Sequence, residues 1–299
     1  MRTKEQKIFD VIGHIFMAIL TILAIVPMLL MLISSLTSEA AIVKDGYNFF
    51  PKQWSIYAYK WVLTSNGSTI IRAYGMSFLV TIIGTVSSLI ITTLLAYGLS
   101  KKGLPGRGIL TFLVFFTMLF NAGLVPTYIN YTQNFHIKDT FFALIIPSLM
   151  MSAFNVLLMK SYFTSAVPDE ILEAAYIDGA NEFRTMIQVA IPLSKPIIAT
   201  IAMFVGIAYW NDWNNGFIYL NKRVDLYTIQ NLLNRLMQSI TMLTQNASQL
   251  GNVQEGLAEI PAVTVRMAMA TLGILPIVIV YPFIQNNFVK GITLGGVKG

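Results

Sequence analysis

The residues able to do chemistry are concentrated in two polar stretches that interrupt long apolar runs. The first is Glu173-Ala174-Ala175-Tyr176-Ile177-Asp178-Gly179-Ala180, continued by Ile191-Pro192-Leu193 and Lys195-Pro196. Pro168 followed by Asp169, Glu170 and Glu173 reads as a helix start, with acids near the positive end of the dipole. Ala174, Ala175 and Gly179 have almost no side chain, so a helix carrying them lets another backbone approach closely. Gly179 suits a helix end that needs φ > 0, and Pro192 and Pro196 force a sharp turn into the next helix. This is docking chemistry rather than bond-making chemistry. The second stretch, Trp210-Asn211-Asp212-Trp213-Asn214-Asn215, sets four hydrogen-bonding side chains and two indoles near the end of an apolar segment. At helical spacing Trp210, Trp213 and Asn214 share one side, and Asn211 and Asn215 a neighbouring one. Such polarity is costly in lipid and belongs against a protein interior or a watery cavity. Two readings stand. In one, the tryptophans join an interfacial belt and the asparagines bond neighbouring helices. In the other, the stretch touches a polar cargo directly. Asp212 serves equally well as a structural bond to a partner.

Catalysis has no support in the residue inventory. There is no cysteine, and His14 and His136 are the only histidines, which leaves neither a thiolate nor a His-based metal site. No phosphate-binding Gly-x-x-x-x-Gly-Lys-Ser/Thr loop is present; Gly103 to Gly108 lacks the lysine and hydroxyl after its last glycine. Asp212 is the one acid placed within an apolar segment, and no His or Cys accompanies it. No catalytic, metal-ligating or cofactor residues are therefore assigned.

The elements that carry these stretches are membrane spans. Hydrophobic residues make up 55% of the 299-residue chain and charged residues only 11%, against about a quarter in soluble domains. The mean hydropathy is +0.65. The net charge of +6 suits loops facing anionic lipid; no basic run with interleaved aromatics points to nucleic acid. Six spans are expected: Val11 to about Ser34, Met76 to about Leu99, Ile109 to about Tyr131, Phe141 to about Phe163, Pro196 to about Tyr219, and about Val263 to Phe288. Asn121 and Pro126 should distort the third, and Pro147 should break the fourth. Small residues Gly84, Ser87 and Ser88 prepare the second for close helix packing. Ser35 to Gly75 is mixed and aromatic, an outer elbow with a surface-lying segment. Ile229, Leu232, Leu233, Leu236, Met237, Ile240 and Leu243 fall at helical spacing, an amphipathic helix within the external segment 220–262. The basic turn Lys101-Lys102-Gly103-Leu104-Pro105-Gly106-Arg107-Gly108 is the clearest cytoplasmic marker, and by parity it shares its side with the loop 164–195 and both termini.

The pattern Glu173-Ala174-Ala175, Gly179 and the later Val189-Ala190-Ile191-Pro192 resembles the EAA loop of ABC-importer permeases, with Val189 and Ile191 as apolar departures from the usual Ile and Leu. Trp210-Asn211-Asp212, Phe288-Val289-Lys290-Gly291 and the terminal Gly296-Val297-Lys298-Gly299 are similar to the carbohydrate-import branch, of the maltose-permease G-subunit type and near the oligosaccharide permeases of Gram-positive bacteria. The resemblance implies an all-α, polytopic type I importer permease of six transmembrane helices, a single domain over 1–299 in the bacterial cell membrane. It implies a second homologous permease, two ATP-binding subunits that hold ATP and Mg, an extracellular solute-binding lipoprotein and an oligosaccharide cargo. Glu173, Ala174, Ala175, Asp178, Gly179 and Ala180 would then dock in the ATPase, with the tail near Lys298 reaching the same interface, and Trp210, Asn211, Asp212, Trp213 and Asn214 would lie along the cargo path. The competing readings are an ABC permease for a polyamine, phosphate or glycerol phosphate, and a secondary transporter or channel. An anionic cargo would favour basic residues inside spans, and none stands out as central; a secondary transporter needs intramembrane charges or inverted repeats, and neither is found.

Overall fold

The computed structural model describes residues 3–250 and 261–296, and among them the only regular structure besides helix is one isolated bridge, Thr37 to Trp54. The chain divides into two compact units, Met1–Ile70 with Leu233–Pro276, and Ile71–Leu232 with Ile277–Gly299.

In the first unit, α1 (Lys4–Ser35) starts at a capping box between Thr3 and Gln6 and continues through Pro27 without interruption. None of its apolar side chains is buried, and most are exposed, the surface a bilayer would cover. The elbow that follows holds α2 (Glu39–Asp45), closed by Ser38 N–H on Gln53 O (3.1 Å) and Ser55 N–H on Leu36 O (2.8 Å). α3 (Tyr57–Ser100) begins well before the expected Met76. Buried Ala58, Val62, Ile70 and Ala73 mark one helical face through a stretch whose tyrosines and polar residues read as interfacial. At about 1.5 Å per residue its 44 residues outrun a bilayer core about 30 Å thick, and its apolar part is Gly67–Ser100.

In the second unit, α4 (Arg107–Leu119) and α5 (Leu124–Ile129) make the third expected span, bent by 116°. The side chain of Asn121 accepts from Gly123 N–H (2.8 Å) and Gly123 sits at φ +83, so the distortion expected from Asn121 and Pro126 is a sharp corner. The fourth expected span is broken at Pro147, as anticipated, into α6 (Phe142–Ile145) and α7 (Ala153–Ala166). The break leaves carbonyls without helical partners, and side chains from further along the chain take them: Tyr209 OH donates to Ile145 O (2.8 Å) and Asn215 Nδ2 to Pro147 O (2.9 Å). Tyr209 rests on Gly84 of α3, where an added Cβ would meet its ring at 2.5 Å, so the small residue there is a helix-crossing point.

The loop 164–195 folds as α8 (Asp169–Ile177), α9 (Glu182–Thr185), a π turn over Met186–Ala190 and α10 (Ile191–Leu193). The segment from Glu182 then bends 82° into α11 (Lys195–Asn211), as Pro192 and Pro196 require. α12 (Asn214–Tyr219) follows, and α13 (Ile229–Leu250) is the expected amphipathic helix, burying Ile229, Leu232, Leu233 and Ile240. α14 (Ala262–Gly296) closes the chain; its first N–H groups, Val263 and Thr264, donate to the Glu39 carboxylate at 2.9 Å each. Among the described residues three helices are long and apolar enough to cross a membrane, or five when each bent pair counts as one span.

Candidate functional site

The helix α8 is built as its residues dictate. Pro168 occupies the N-cap, and Asp169 and Glu170 fill the first turn. At the other end Gly179, at φ +82, donates its N–H to Tyr176 O, and Ala180 donates to Ala175 O, both at 3.0 Å. That pair of bonds is a Schellman motif, and it needs a residue free to adopt φ > 0. Glu173, Ala174, Asp178 and Gly179 are exposed, with Ala175 and Ala180 half-buried. A Cβ on Gly179 would meet nothing within 4 Å. Asp178 terminates the helix through its own N–H on Ala174 O (3.0 Å). Around this small-residue end stand apolar side chains in the open: Ile177 is 86% exposed and Phe183 63%. This end of α8 thus presents exposed apolar side chains beside the exposed Glu173.

What holds this face in place is the basic turn after α3. Lys102 Nζ lies 2.7 Å from Asp169 Oδ2, and this bond holds the Asp169 carboxyl below its ordinary range. Lys101 Nζ donates to Tyr176 OH (2.7 Å), stands 3.5 Å from Glu182 Oε2 and lies over the Tyr97 ring at 4.6 Å. Tyr97 OH donates to Glu182 Oε2 (3.0 Å). Burial pushes Glu182 up, but the hydroxyls of Tyr176 and Tyr97 and the Lys101 ammonium outweigh it and keep the carboxyl low. A cavity of about 780 Å³ lies between turn and loop, lined by Tyr97, Lys101, Glu173 and Tyr176 among others. The Lys101 turn, read from the sequence only as a marker of sidedness, is therefore the clamp of the EAA-like loop. Its partners Tyr97, Tyr176 and Glu182 were missed. The signal was opposite charge: a basic turn without acids facing a loop rich in Asp and Glu.

The second stretch is divided by structure. The helix α11 ends at Asn211 and α12 starts at Asn214, so the shared sides expected from one continuous helix do not apply. Asp212 sits in the break, one residue ahead of the N-cap Trp213, and its Oδ1 accepts from the N–H groups of Asn214 (3.1 Å) and Asn215 (3.2 Å) in the first turn of α12. Trp210, 6% exposed, packs edge-on against Phe78 at 5.1 Å. Trp213, 41% exposed, contacts Phe217 and gives its carbonyl to Asn231 Nδ2 (3.0 Å). Asn211 and Asn214 are exposed, and Asn215 is buried on Pro147. Trp210, Asp212 and Asn215 thus hold structure, while Asn211, Trp213 and Asn214 remain presented. Lys298 lies outside the described residues. Among the described residues no cluster of His, Asp or Glu could hold a metal ion.

The chain belongs to the family of binding-protein-dependent transport system inner membrane components, whose pattern matches residues 76–294. It is 34% identical over 297 residues to the protein LplC of Bacillus subtilis, covering 99% of this chain and 97% of that one. It is 32% identical over 295 residues to the polygalacturonan/rhamnogalacturonan transport system permease protein YtcP of the same organism, covering 99% and 100%. A solved bacterial ABC transporter involved in import of the acidic polysaccharide alginate contains a chain of the same fold, with a TM-score of 0.77, 29% identity, and 96% and 99% of the two chains covered.

Proposed function

We propose that this chain is one half of the pore of an ATP-driven importer for oligosaccharides, and that α8 couples it to a separate ATPase. The observation that carries the coupling role is the exposed, Schellman-capped end of α8, clamped from behind by Lys101, Lys102 and Tyr97. The bond of Lys101 to Tyr176 ties α8 to the turn after α3, so a push on the exposed face reaches a membrane helix. Glu173 pairs with a basic group on the ATPase, while Ala174, Ala175, Gly179 and Ala180 admit its backbone, Asp178 ends the helix, and the tail near Lys298 reaches the same subunit. The chain works as a single permease domain with both termini cytoplasmic, and the broken α6–α7 segment completes six crossings. ATP and Mg belong to two partner ATPases; a second homologous permease and an extracellular solute-binding lipoprotein complete the assembly. The cargo is a glycan, and relatives named for polygalacturonan and alginate transport support one that bears carboxylates.

Reconstitution of the whole assembly in vesicles tests this reading, with ATP-dependent uptake of receptor-bound oligosaccharide as the measurement. Asn211→Ala and Trp213→Ala should lower uptake several-fold without changing receptor affinity, assembly or cargo-free ATP hydrolysis, because these side chains are presented and make few structural bonds. Unchanged uptake in both variants would return Asn211 and Trp213 to a purely structural role. Absence of any ATP-driven glycan uptake would overturn the function itself.

A further inference from the structure

We propose that Lys160 and Arg107 hold the phosphate of an anionic phospholipid at the seam between α4 and α7, a lipid site that goes beyond the importer reading and does not depend on the cargo. Lys160 lies near the end of the fourth expected span, where a cation needs a counter-charge or water. Its Nζ donates to Thr111 Oγ1 of α4 (3.1 Å), and it meets no carboxylate among the described residues. The charge that acts on it is the Arg107 guanidinium, a like charge. Arg107 stands one turn from Thr111 on α4, so the three polar groups share the seam. Arg107 gives its Nε–H to Leu99 O (2.8 Å), which fixes the guanidinium at the end of α3 and leaves its terminal nitrogens without an acceptor among the described residues. Lys101 and Lys102 on the nearby turn differ, being already paired with Glu182 and Asp169. Two cations with no acid between them repel, and an anion placed across them removes the repulsion.

The position identifies the anion. Val114 and Val156, about one turn further along the two helices from the Lys101 turn, are buried, so the seam is closed there and open toward the turn. Lys160, Thr111 and Arg107 are half-buried and can be reached from outside the chain. Beside them Ile109, Leu110 and Leu113 of α4 are exposed, an apolar surface for acyl chains. Cations one turn inside the end of a span, next to such a surface, stand where phospholipid phosphates meet the hydrocarbon. A phosphate gives two parallel acceptors to the Arg107 fork and a further oxygen to the Lys160 ammonium. Thr111 adds its hydroxyl proton, because its oxygen already accepts from Lys160. A free phosphate satisfies the cations but leaves the apolar surface uncovered; a phospholipid covers both. Since α7 leads into α8 through Val167 and Pro168, a lipid held here clasps α4 to the helix that carries α8.

The test reconstitutes the complete importer in vesicles of mixed phosphatidylcholine and phosphatidylglycerol, extracts it, and counts the retained lipid by native mass spectrometry. The wild type should retain phosphatidylglycerol in preference to phosphatidylcholine. Lys160→Gln, which keeps a donor for Thr111 and removes the charge, should weaken that retention about fivefold, the weight of one cation at a lipid surface. Lys160→Arg should preserve it, and Arg107→Lys should lose part of it, since the charge stays and the fork goes. Lys195→Gln removes an exposed cation on α11 and should change nothing. No lipid preference in the wild type, full retention by Lys160→Gln, or an equal loss in Lys195→Gln would overturn the site. Displacement of the phosphatidylglycerol by inorganic phosphate would give the cations to a free anion and overturn the lipid assignment. Failure of Lys160→Gln to assemble with its partner subunits, with assembly restored by Lys160→Arg, would give them to a partner's carboxylate and also overturn it. The expected retention pattern in a complex that imports no glycan would support the lipid site and overturn the importer reading alone.

Discussion

Gly179→Leu should abolish most ATP-driven uptake while the chain remains in the membrane. Gly179 sits at φ +82 with no atom of its own chain within 4 Å of an added Cβ, so a larger side chain there would project into open space. An L-residue in the left-handed region costs about 1–2 kcal/mol, and forcing bulk into a close interface costs about 1–3 kcal/mol. Together these should reduce docking of the ATPase, and with it uptake, by more than about tenfold. Gly179→Asn separates the two causes, because asparagine tolerates the left-handed conformation and preserves the Schellman turn; it should lose less. Glu173→Ala should be milder still, since an exposed ion pair is worth about 0–1 kcal/mol. Co-purification of the ATPase alongside uptake measures this series. Full assembly and normal uptake by Gly179→Leu would remove α8 from the coupling role.

The second large effect belongs to packing. Gly84→Ala places one methyl group 2.5 Å from Tyr209 Cζ. Tyr209 is buried and its hydroxyl is committed to Ile145 O at the break in the fourth span, so it cannot swing aside without leaving that carbonyl unpaired. Overpacking of about 1–3 kcal/mol and an orphaned buried acceptor of about 1–3 kcal/mol therefore come together. The melting midpoint of the purified assembly should fall by several degrees, whereas Gly98→Ala on the same helix, with nothing within 4 Å of the added Cβ, should leave it close to wild type. Equal midpoints for the two variants would contradict the crossing of α3 and α11 at Gly84.

These two glycines show which parts of the molecule were legible beforehand. Gly179 announced itself because a helix start, a run of small residues and a left-handed terminator are local signals. The corner at Asn121–Gly123 and the bend at Pro192 and Pro196 were legible for the same reason. Gly84 could be flagged as a packing residue, but its partner lies 125 positions along the chain and no local pattern names it. The early start of α3 was hidden because its buried face is spaced among tyrosines and polar residues that read as interfacial. The break after Asn211 was hidden because Asp212 was weighed as a cargo or partner contact and not as an acceptor for backbone N–H groups of its own chain. The clamp on α8 joins Tyr97 and Lys101 to Tyr176 and Glu182 across more than 70 residues, and only the fold brings them together.

The coupling role of α8 is tested most directly by one cysteine. The chain has no cysteine of its own, so Ala174→Cys gives a unique label on the exposed face of α8, and Lys222→Cys gives a reference on the segment placed outside. A membrane-impermeant maleimide should label Lys222→Cys in intact cells and leave Ala174→Cys untouched until the membrane is opened. In opened membranes, co-assembled ATP-binding subunits should then protect Ala174→Cys from the reagent. Labelling of Ala174→Cys in intact cells, or labelling in opened membranes that is indifferent to the ATP-binding subunits, would contradict the assignment of α8 as the coupling helix.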